Sequence, residues 1–399
     1  MKKIVGLICG AVAALTVAPC AVAFCVSNAI SQADDTYGSV LRLSSERQST
    51  YGKVLASYGK DNEGFTQNNT TMDNYGGQAD DSGTVKWYLD YLASLKETDQ
   101  PQKEQENTIK DIPVKVYFHK EDTVKEVSLE EYLAGVVLGE MLISFEEEAL
   151  KAQAIAARSY TLFMMESGAS KYHKDGASIC TDHTHCQTWK SPQELFTAYP
   201  KEQAQKYYEK LMRVIDETRG QILMYDGKVV QAYYFDNSGG FTESYDSVWG
   251  GENLDYTQSI PCMGEADKDN FCTLDYFTPQ DFLERFKNAD GNVNATAETV
   301  FDTIKIISRT TSNRIDEMSV GGVTFKGTEM RSILGLKSTN VIFRELEDGR
   351  ILTVTFGYGH GVGMSQWGAQ AMAEKGSTAE EILKYYYKGV EIVDLYSVK

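Results

Sequence analysis

Few residues in this sequence stand where their chemistry would count, and Glu140 is the first of them. It follows the apolar stretch Ala134 to Leu138 and lies between two segments that read as capped helices. Partial burial there would raise its pKa, because desolvation disfavours the charged form. A raised carboxyl suits general acid catalysis near neutral pH. Spacing alone fits an ordinary solvated glutamate better.

The second place is a cluster. The chain has 5 histidines, and His173, His183 and His185 fall close together with Cys180 and Cys186 among them. Thiolate and imidazole at short spacing suit a tetrahedral zinc ion. The spacing matches none of the common finger patterns, and a Cys180–Cys186 disulfide is the alternative. On the metal reading the ligands are Cys180, Cys186, His173 and His185. The role would be structural, since proton transfer through Glu140 needs no Lewis acid and no cofactor. Cys262 and Cys272 have no histidine near them in sequence and are expected to form a disulfide.

Third, His360 sits in the loop Gly357-Tyr358-Gly359-His360-Gly361-Val362-Gly363. The loop lacks the Gly-Lys-Ser/Thr ending of a phosphate-binding loop, and no βαβ unit surrounds it. A tight loop, where backbone approaches a polymer or packs on a helix, is the better reading. Ser238-Gly239-Gly240 likewise reads as a turn, not as a nucleophile elbow.

These residues need elements to hold them. Pro113 to Phe118 reads as a strand. Ser128-Leu129-Glu130-Glu131 is a capping box that opens a helix running to about Gly139. Ser144-Phe145-Glu146-Glu147 is a second box, and behind it Leu150, Ala154, Ala157 and Thr161 recur at helical spacing to about Glu166. Another helix is expected from Glu202 to Glu217. Asp226-Gly227 turns a hairpin between Ile222 to Tyr225 and Val229 to Tyr234. Asp348-Gly349 turns a second, between Val341 to Phe343 and Ile351 to Phe356. Two helices follow, near Ser365 to Glu374 and Ala379 to Tyr386. Helices and hairpins come in runs, so the class is α+β, a single large mixed domain over 111–399.

Residues 4–26 carry no charge and follow two lysines. That length is about what a bilayer-crossing helix needs. We read 1–26 as an uncleaved membrane anchor with the body outside the cytoplasm, a cleaved signal peptide being the alternative. Residues 27–110 are rich in Ser, Asp, Asn, Gly and Gln and read as a flexible stalk. The net charge of −18 disfavours nucleic acid and anionic membrane surfaces as partners.

Four stretches together resemble a known family. They are Glu131-Tyr132-Leu133-Ala134-Gly135-Val136-Val137-Leu138-Gly139-Glu140-Met141, then Leu150-Lys151-Ala152-Gln153-Ala154-Ile155-Ala156-Ala157-Arg158-Ser159-Tyr160. Next come Asn237-Ser238-Gly239-Gly240-Phe241-Thr242-Glu243 with Val248-Trp249-Gly250. Last comes Gly357 to Gly363, continued by Met364-Ser365-Gln366-Trp367-Gly368-Ala369. In this order over 112–399 they resemble the stage II sporulation protein D family.

The resemblance implies a membrane-anchored lytic transglycosylase. It would cleave peptidoglycan glycan strands stripped of stem peptides, beside a stage II sporulation protein P-like amidase, during forespore engulfment. It implies Glu140 as the catalytic acid and Arg158 as an essential residue. Arg158, Ser238, His360 and Gln366 are the expected glycan-binding residues. Arg158 lies roughly 20 Å along its helix from the joint, so direct pairing with Glu140 is not expected; it either holds a distant sugar subsite or braces the motif. One carboxylate is enough for this chemistry, whereas hydrolytic glycosidases usually need two. The family also includes amidase enhancers, so a non-catalytic glycan-binding enhancer is the rival reading.

Overall fold

The computed structural model describes residues 112–396. The expected anchor (1–26) and stalk (27–110) lie outside them. Among the described residues, no helix is long and apolar enough to cross a membrane.

The α+β class holds, but the described chain forms two compact units where the sequence suggested one large domain. The larger comprises 112–237, 242–260 and 359–396. The smaller comprises Ser238–Phe241 and Pro261–Tyr358. Each has its own apolar interior, a division that a hydropathy pattern does not reveal.

The larger unit opens with β1 (Pro113–Phe118) and β2 (Thr123–Ser128), an antiparallel pair. Val114, Val116 and Phe118 point inward at the period of 2. Ser128 caps α1 (Leu129–Glu140), its hydroxyl accepting from the Glu131 N–H as expected. The next helix, α2 (Glu147–Glu166), is capped differently. Its N-cap is Glu146, with no side-chain cap bond, so the box expected from Ser144 is not formed. The Glu146 N–H donates instead to Gln370 Oε1, at 2.7 Å. Ala149, Ala152, Ala154, Ala156 and Ala157 leave α2 thin and apolar almost all round, the mark of a buried helix. It packs against other helices and strands of the unit on several sides.

β3 (Ile179–Cys180) adds in parallel to β1. Then come α3 (Gln193–Ala198), α4 (Lys201–Glu217), β4 (Gln221–Tyr225) and β5 (Lys228–Val229). The expected hairpin through Tyr234 is cut short. β5 pairs with β4 over only two residues, and β6 (Tyr234–Phe235) turns away to another partner. A short α5 (Tyr245–Trp249) follows.

The smaller unit holds β7 (Cys272–Phe277), α6 (Pro279–Ala289), β8 (Lys305–Arg309), β9 (Ile315–Val320), β10 (Val323–Lys326), α7 (Gly327–Leu334), β11 (Val341–Glu345) and β12 (Ile351–Phe356). They form two antiparallel sheets, β10-β9-β8 and β11-β12-β7. Thr278 caps α6, Pro279 begins it, and Phe282, Leu283 and Phe286 face the core. There they meet Phe277, Met318 and Phe325. The expected Cys262–Cys272 disulfide is not formed; both are thiols. Their backbones are held by different segments. The Cys262 N–H donates to Gly240 O, while Cys272 pairs with Phe356 in the sheet.

The chain then returns to the larger unit through β13 (Met364–Ser365), α8 (Gln366–Ala373), α9 (Ala379–Tyr386) and β14 (Glu391–Asp394). β13 lies parallel to β6, and β14 antiparallel to β4.

Candidate active site

Glu140 is the last residue of α1, beyond a run of buried apolar side chains. Two glycines one turn apart, Gly135 and Gly139, face the segment Thr188 to Lys190. A Cβ on Gly135 would strike the Trp189 indole, and one on Gly139 the Thr188 carbonyl. With neither present, the segment lies flush against the helix, and the Lys190 N–H donates to Gly135 O at 3.0 Å. This apposition delivers the Thr188 N–H to Glu140 Oε1, 2.5 Å away.

The other carboxylate oxygen is held from α8. Gln366 Nε2 donates to Glu140 Oε2 at 3.3 Å and lies 3.4 Å from Gln153 Oε1. Ser365 caps α8 through the Gly368 N–H and so fixes the first residue of that helix. Burial pushes the Glu140 carboxyl above the usual carboxylate range. The Thr188 and Gln366 hydrogen bonds oppose the shift without cancelling it. Position adds to this, since the C-terminal end of a helix disfavours a negative charge.

Polar side chains behind the site hold Gln187, the residue before Thr188. Its Nε2 donates to the Tyr132 hydroxyl (3.2 Å) and to Thr161 Oγ1 (3.0 Å). Its Oε1 accepts from the Tyr234 hydroxyl at 2.6 Å. Burial holds both phenols well above their ordinary range, so they stay neutral donors and acceptors.

Arg158 is elsewhere. It is wholly buried and grips Glu130 at the start of α1, with Nε to Oε1 at 3.0 Å and Nη2 to Oε2 at 2.5 Å. Nη1 donates to Gln221 O at 3.1 Å. Ten residues of helix separate Glu130 from Glu140, about 15 Å. As the sequence suggested, Arg158 does not pair with Glu140. It braces α1 to α2 and β4.

Ser238 belongs to the smaller unit and is fully buried. Its hydroxyl donates to Glu265 and accepts from the Gly240 N–H. Its carbonyl accepts from Arg314 at 3.0 Å. His360, in the larger unit, is half-buried. Its Nδ1 accepts from the Val362 N–H at 3.1 Å, which puts the proton of the neutral ring on Nε2. Gln366 is buried too, and its amide points at Glu140. The Gly-rich loop packs closely, on β6 and the residue before it where a helix was expected: a Cβ on Gly359 would meet Phe235, and one on Gly363 the Tyr233 carbonyl.

The cysteine–histidine cluster assembles. The ligand atoms of His173, Cys180, His185 and Cys186 lie within 4.8 Å of one another. His173 Nε2 is 3.1 Å from Cys186 Sγ, and His185 Nδ1 is 3.3 Å from Cys186 Sγ and 3.6 Å from Cys180 Sγ. His183 is largely exposed beside Asp182, outside the group. Both cysteines are thiols, and the hydrogen bond from Cys186 is the first cause that lowers Cys180 to about 5. Two sulfur and two imidazole donors fit a tetrahedral metal ion.

Two residues near Glu140 had escaped the sequence reading: Thr188, its direct partner, and Gln153, which reaches it only through Gln366. Gln153 had a signal: it is a lone amide inside an alanine-rich helix. Thr188 had none, because the larger of its two contributions to Glu140 comes from its backbone N–H, which any residue but proline supplies.

Fold and site together define a class: a mixed α+β protein with a half-buried carboxylate at a helix terminus, held by an amide and a backbone N–H. Residues 117–225 match the family profile described as Stage II sporulation protein. Stage II sporulation protein D of Bacillus subtilis (strain 168) is 33% identical over 299 residues, 73% of this chain and 83% of the relative. Stage II sporulation protein D of Bacillus amyloliquefaciens is 33% identical over 289 residues, 72% and 81% of the two chains. An amidase enhancer of Bacillus subtilis (strain 168) is 26% identical over 320 residues, 65% of this chain and 40% of the relative. The chain belongs to the stage II sporulation protein D family.

Proposed function

We propose that this protein is a lytic transglycosylase of peptidoglycan glycan strands, with Glu140 as its single acid–base residue. The carrying observation is the Glu140 carboxyl, pushed above the carboxylate range by burial yet aimed by Thr188 and Gln366. Protonated, it donates to the glycosidic oxygen as the bond from that oxygen to C1 breaks. The resulting carboxylate then takes the proton of the same sugar's 6-hydroxyl as O6 closes on C1. The products are a free 4-hydroxyl and a 1,6-anhydro sugar. Water is not consumed and Glu140 is regenerated, so no second carboxylate is needed. Purified protein incubated with peptide-free glycan strands should release anhydro-muramyl ends, identified by mass spectrometry. Intact strands after long incubation would sink the reading.

A second reading is a glycan-binding enhancer of a cell-wall amidase that cleaves nothing itself. The likeness to an amidase enhancer favours it. It expects no anhydro product, and a faster amidase when the two proteins are mixed. On the first reading the same kind of amidase, stage II sporulation protein P-like, is a partner that strips peptides ahead of Glu140. Residues 1–26 would anchor the chain in the membrane, with its body outside the cytoplasm on the mother-cell side.

Zinc is the ion we assign to His173, Cys180, His185 and Cys186. Its role would be structural: it would tie down the loop that carries Thr188 to Glu140. Metal analysis of protein made without a histidine tag should find about one equivalent of zinc. Less than about a tenth of an equivalent, with both thiols joined, would leave the disulfide alternative standing.

A further inference from the structure

A backbone N–H in a helix or a sheet is placed by its element. The N–H that holds Glu140 Oε1 is not, since residues 187–190 form neither helix nor strand. Beyond Thr188 the segment is pinned by the Lys190 N–H on Gly135 O. Before Thr188 the pin is a side chain, that of Gln187. It is 1% exposed, and its amide meets three hydroxyls, those of Tyr132, Thr161 and Tyr234. Each hydroxyl comes from a different element: α1, α2 and β6. Thr161 is itself fixed, its hydroxyl donating to Ala157 O at 2.8 Å. The shortest of the three contacts, 2.6 Å, comes from Tyr234 on β6.

β6 also governs the other hold on the acid. Tyr234 lies opposite Met364, and Phe235 opposite Ser365, in the parallel pair of β6 and β13. Gln366 follows at once as the first residue of α8, and its amide donates to Glu140 Oε2. A circuit therefore closes. It runs from β6 through the Tyr234 phenol to Gln187, and along one peptide to the Thr188 N–H. It crosses the Glu140 carboxylate to Gln366 and returns through β13 to β6. The two donors are remote in sequence, yet one two-residue strand sets the distance between them. A residue needed only to fill space behind the acid would be apolar, because a buried amide is costly unless its partners are in place.

We propose that Gln187 is a positioning residue of the glycan-cleavage reaction: clamped by Tyr132, Thr161 and Tyr234, it sets the Thr188 N–H on Glu140 in register with the Gln366 amide. The inference rests on the reading of Glu140 as the acid and adds the residue that keeps its two donors at a fixed spacing. Both donors favour the carboxylate, so slack in either lets the carboxyl climb further. The other titratable groups that act on Glu140 are His183, which lowers it, and Tyr132, Tyr160 and Tyr234, phenols that stay neutral where a carboxyl titrates.

The test reads the carboxyl directly. Infrared pH titration of full-length protein, with the Glu140→Gln spectrum subtracted, gives the Glu140 pKa without substrate. Tyr234→Phe keeps the ring and removes only the donor to Gln187. Gln187→Met keeps the bulk and removes the amide. Each should raise the Glu140 pKa by about half a unit to one unit. The double variant should go no further than Gln187→Met alone, because both changes cut one path. On glycan strands kcat should fall roughly 3–10-fold at unchanged KM. An unmoved pKa in Tyr234→Phe overturns the proposal, and that variant decides alone if Gln187→Met does not fold. Shifts that add in the double variant overturn it too, as does lost thermal stability with the pKa unmoved, which would mark Gln187 as packing only. If the pKa moves but unaltered protein releases no anhydro product, the positioning of the carboxyl stands and the transglycosylase reading falls.

Discussion

Helix α1 carries a glutamate at each end, and the two have opposite fates. Glu130, in the first turn, is buried and clasped by the Arg158 guanidinium. Glu140, the last residue, is half-buried, and what holds it is neutral: a backbone N–H and an amide. The helix dipole favours the anion at the first position and disfavours it at the second. One residue type on one helix thus becomes half of an ion pair at one end and a carboxyl raised above its usual range at the other. Burial alone does not make an acid. The charge of the partner and the direction of the helix decide.

The largest way to break this contrast is to remove the proton. Glu140→Gln should lower glycan cleavage by roughly 10²–10⁴-fold, the usual worth of general acid catalysis. Cooperative unfolding should be retained. Cleavage above about a hundredth of the parent rate would mean that Glu140 is not the acid.

The same substitution at the other end should act on stability. Glu130→Gln leaves the Arg158 charge buried without its counter-charge, a loss of about 3–5 kcal/mol. Urea denaturation measures it. A loss under about 1 kcal/mol would show that water or another group replaces the carboxylate.

Gly139→Ala tests the seam that brings Thr188 to the acid. In an open helix this change stabilises by about 1 kcal/mol. Here the new methyl meets the Thr188 carbonyl, so a loss of about 1–3 kcal/mol is expected, with slower cleavage. A stabilised and fully active variant would dissolve the seam.

The smallest effect sharpens the comparison. Gln366→Leu removes a donor that favours the charged form of Glu140. The carboxyl pKa should rise further, so the acid stays protonated to higher pH. The alkaline limb of the pH–rate profile should move upward, with a loss of rate of roughly 3–10-fold. A fall in rate with the profile unmoved would mark Gln366 as a packing residue only.

Much of this was legible in the residues. Ser128 and Glu131 announced α1, and the apolar run before Glu140 announced its burial. Other signals misled for definite reasons. Ser144 had the spacing of a cap, but Glu146 took the position because the Gln370 side chain serves its N–H. The hairpin expected through Tyr234 failed because Tyr234 and Phe235 pair with Met364 and Ser365. No local pattern shows a partner that far along the chain. Arg158 and Gln366 were both expected at the glycan. Arg158 is bonded to Glu130, in the bracing role that was its alternative, and Gln366 to Glu140. The nine-residue spacing of Cys262 and Cys272 said nothing of where their backbones are pinned.

The hydrogen bond from Gln366 spans 226 positions of the chain. Synthesis runs from the N-terminus, so Glu140 and both helices beside it exist long before their amide partner does. Contacts of such separation close late, because loop entropy must be overcome first. A nascent or truncated chain therefore carries Glu140 more open to solvent and with an oxygen unheld. Glu140 gains this second hold only when α8 docks, so the carboxyl reaches the setting proposed for a general acid late in synthesis.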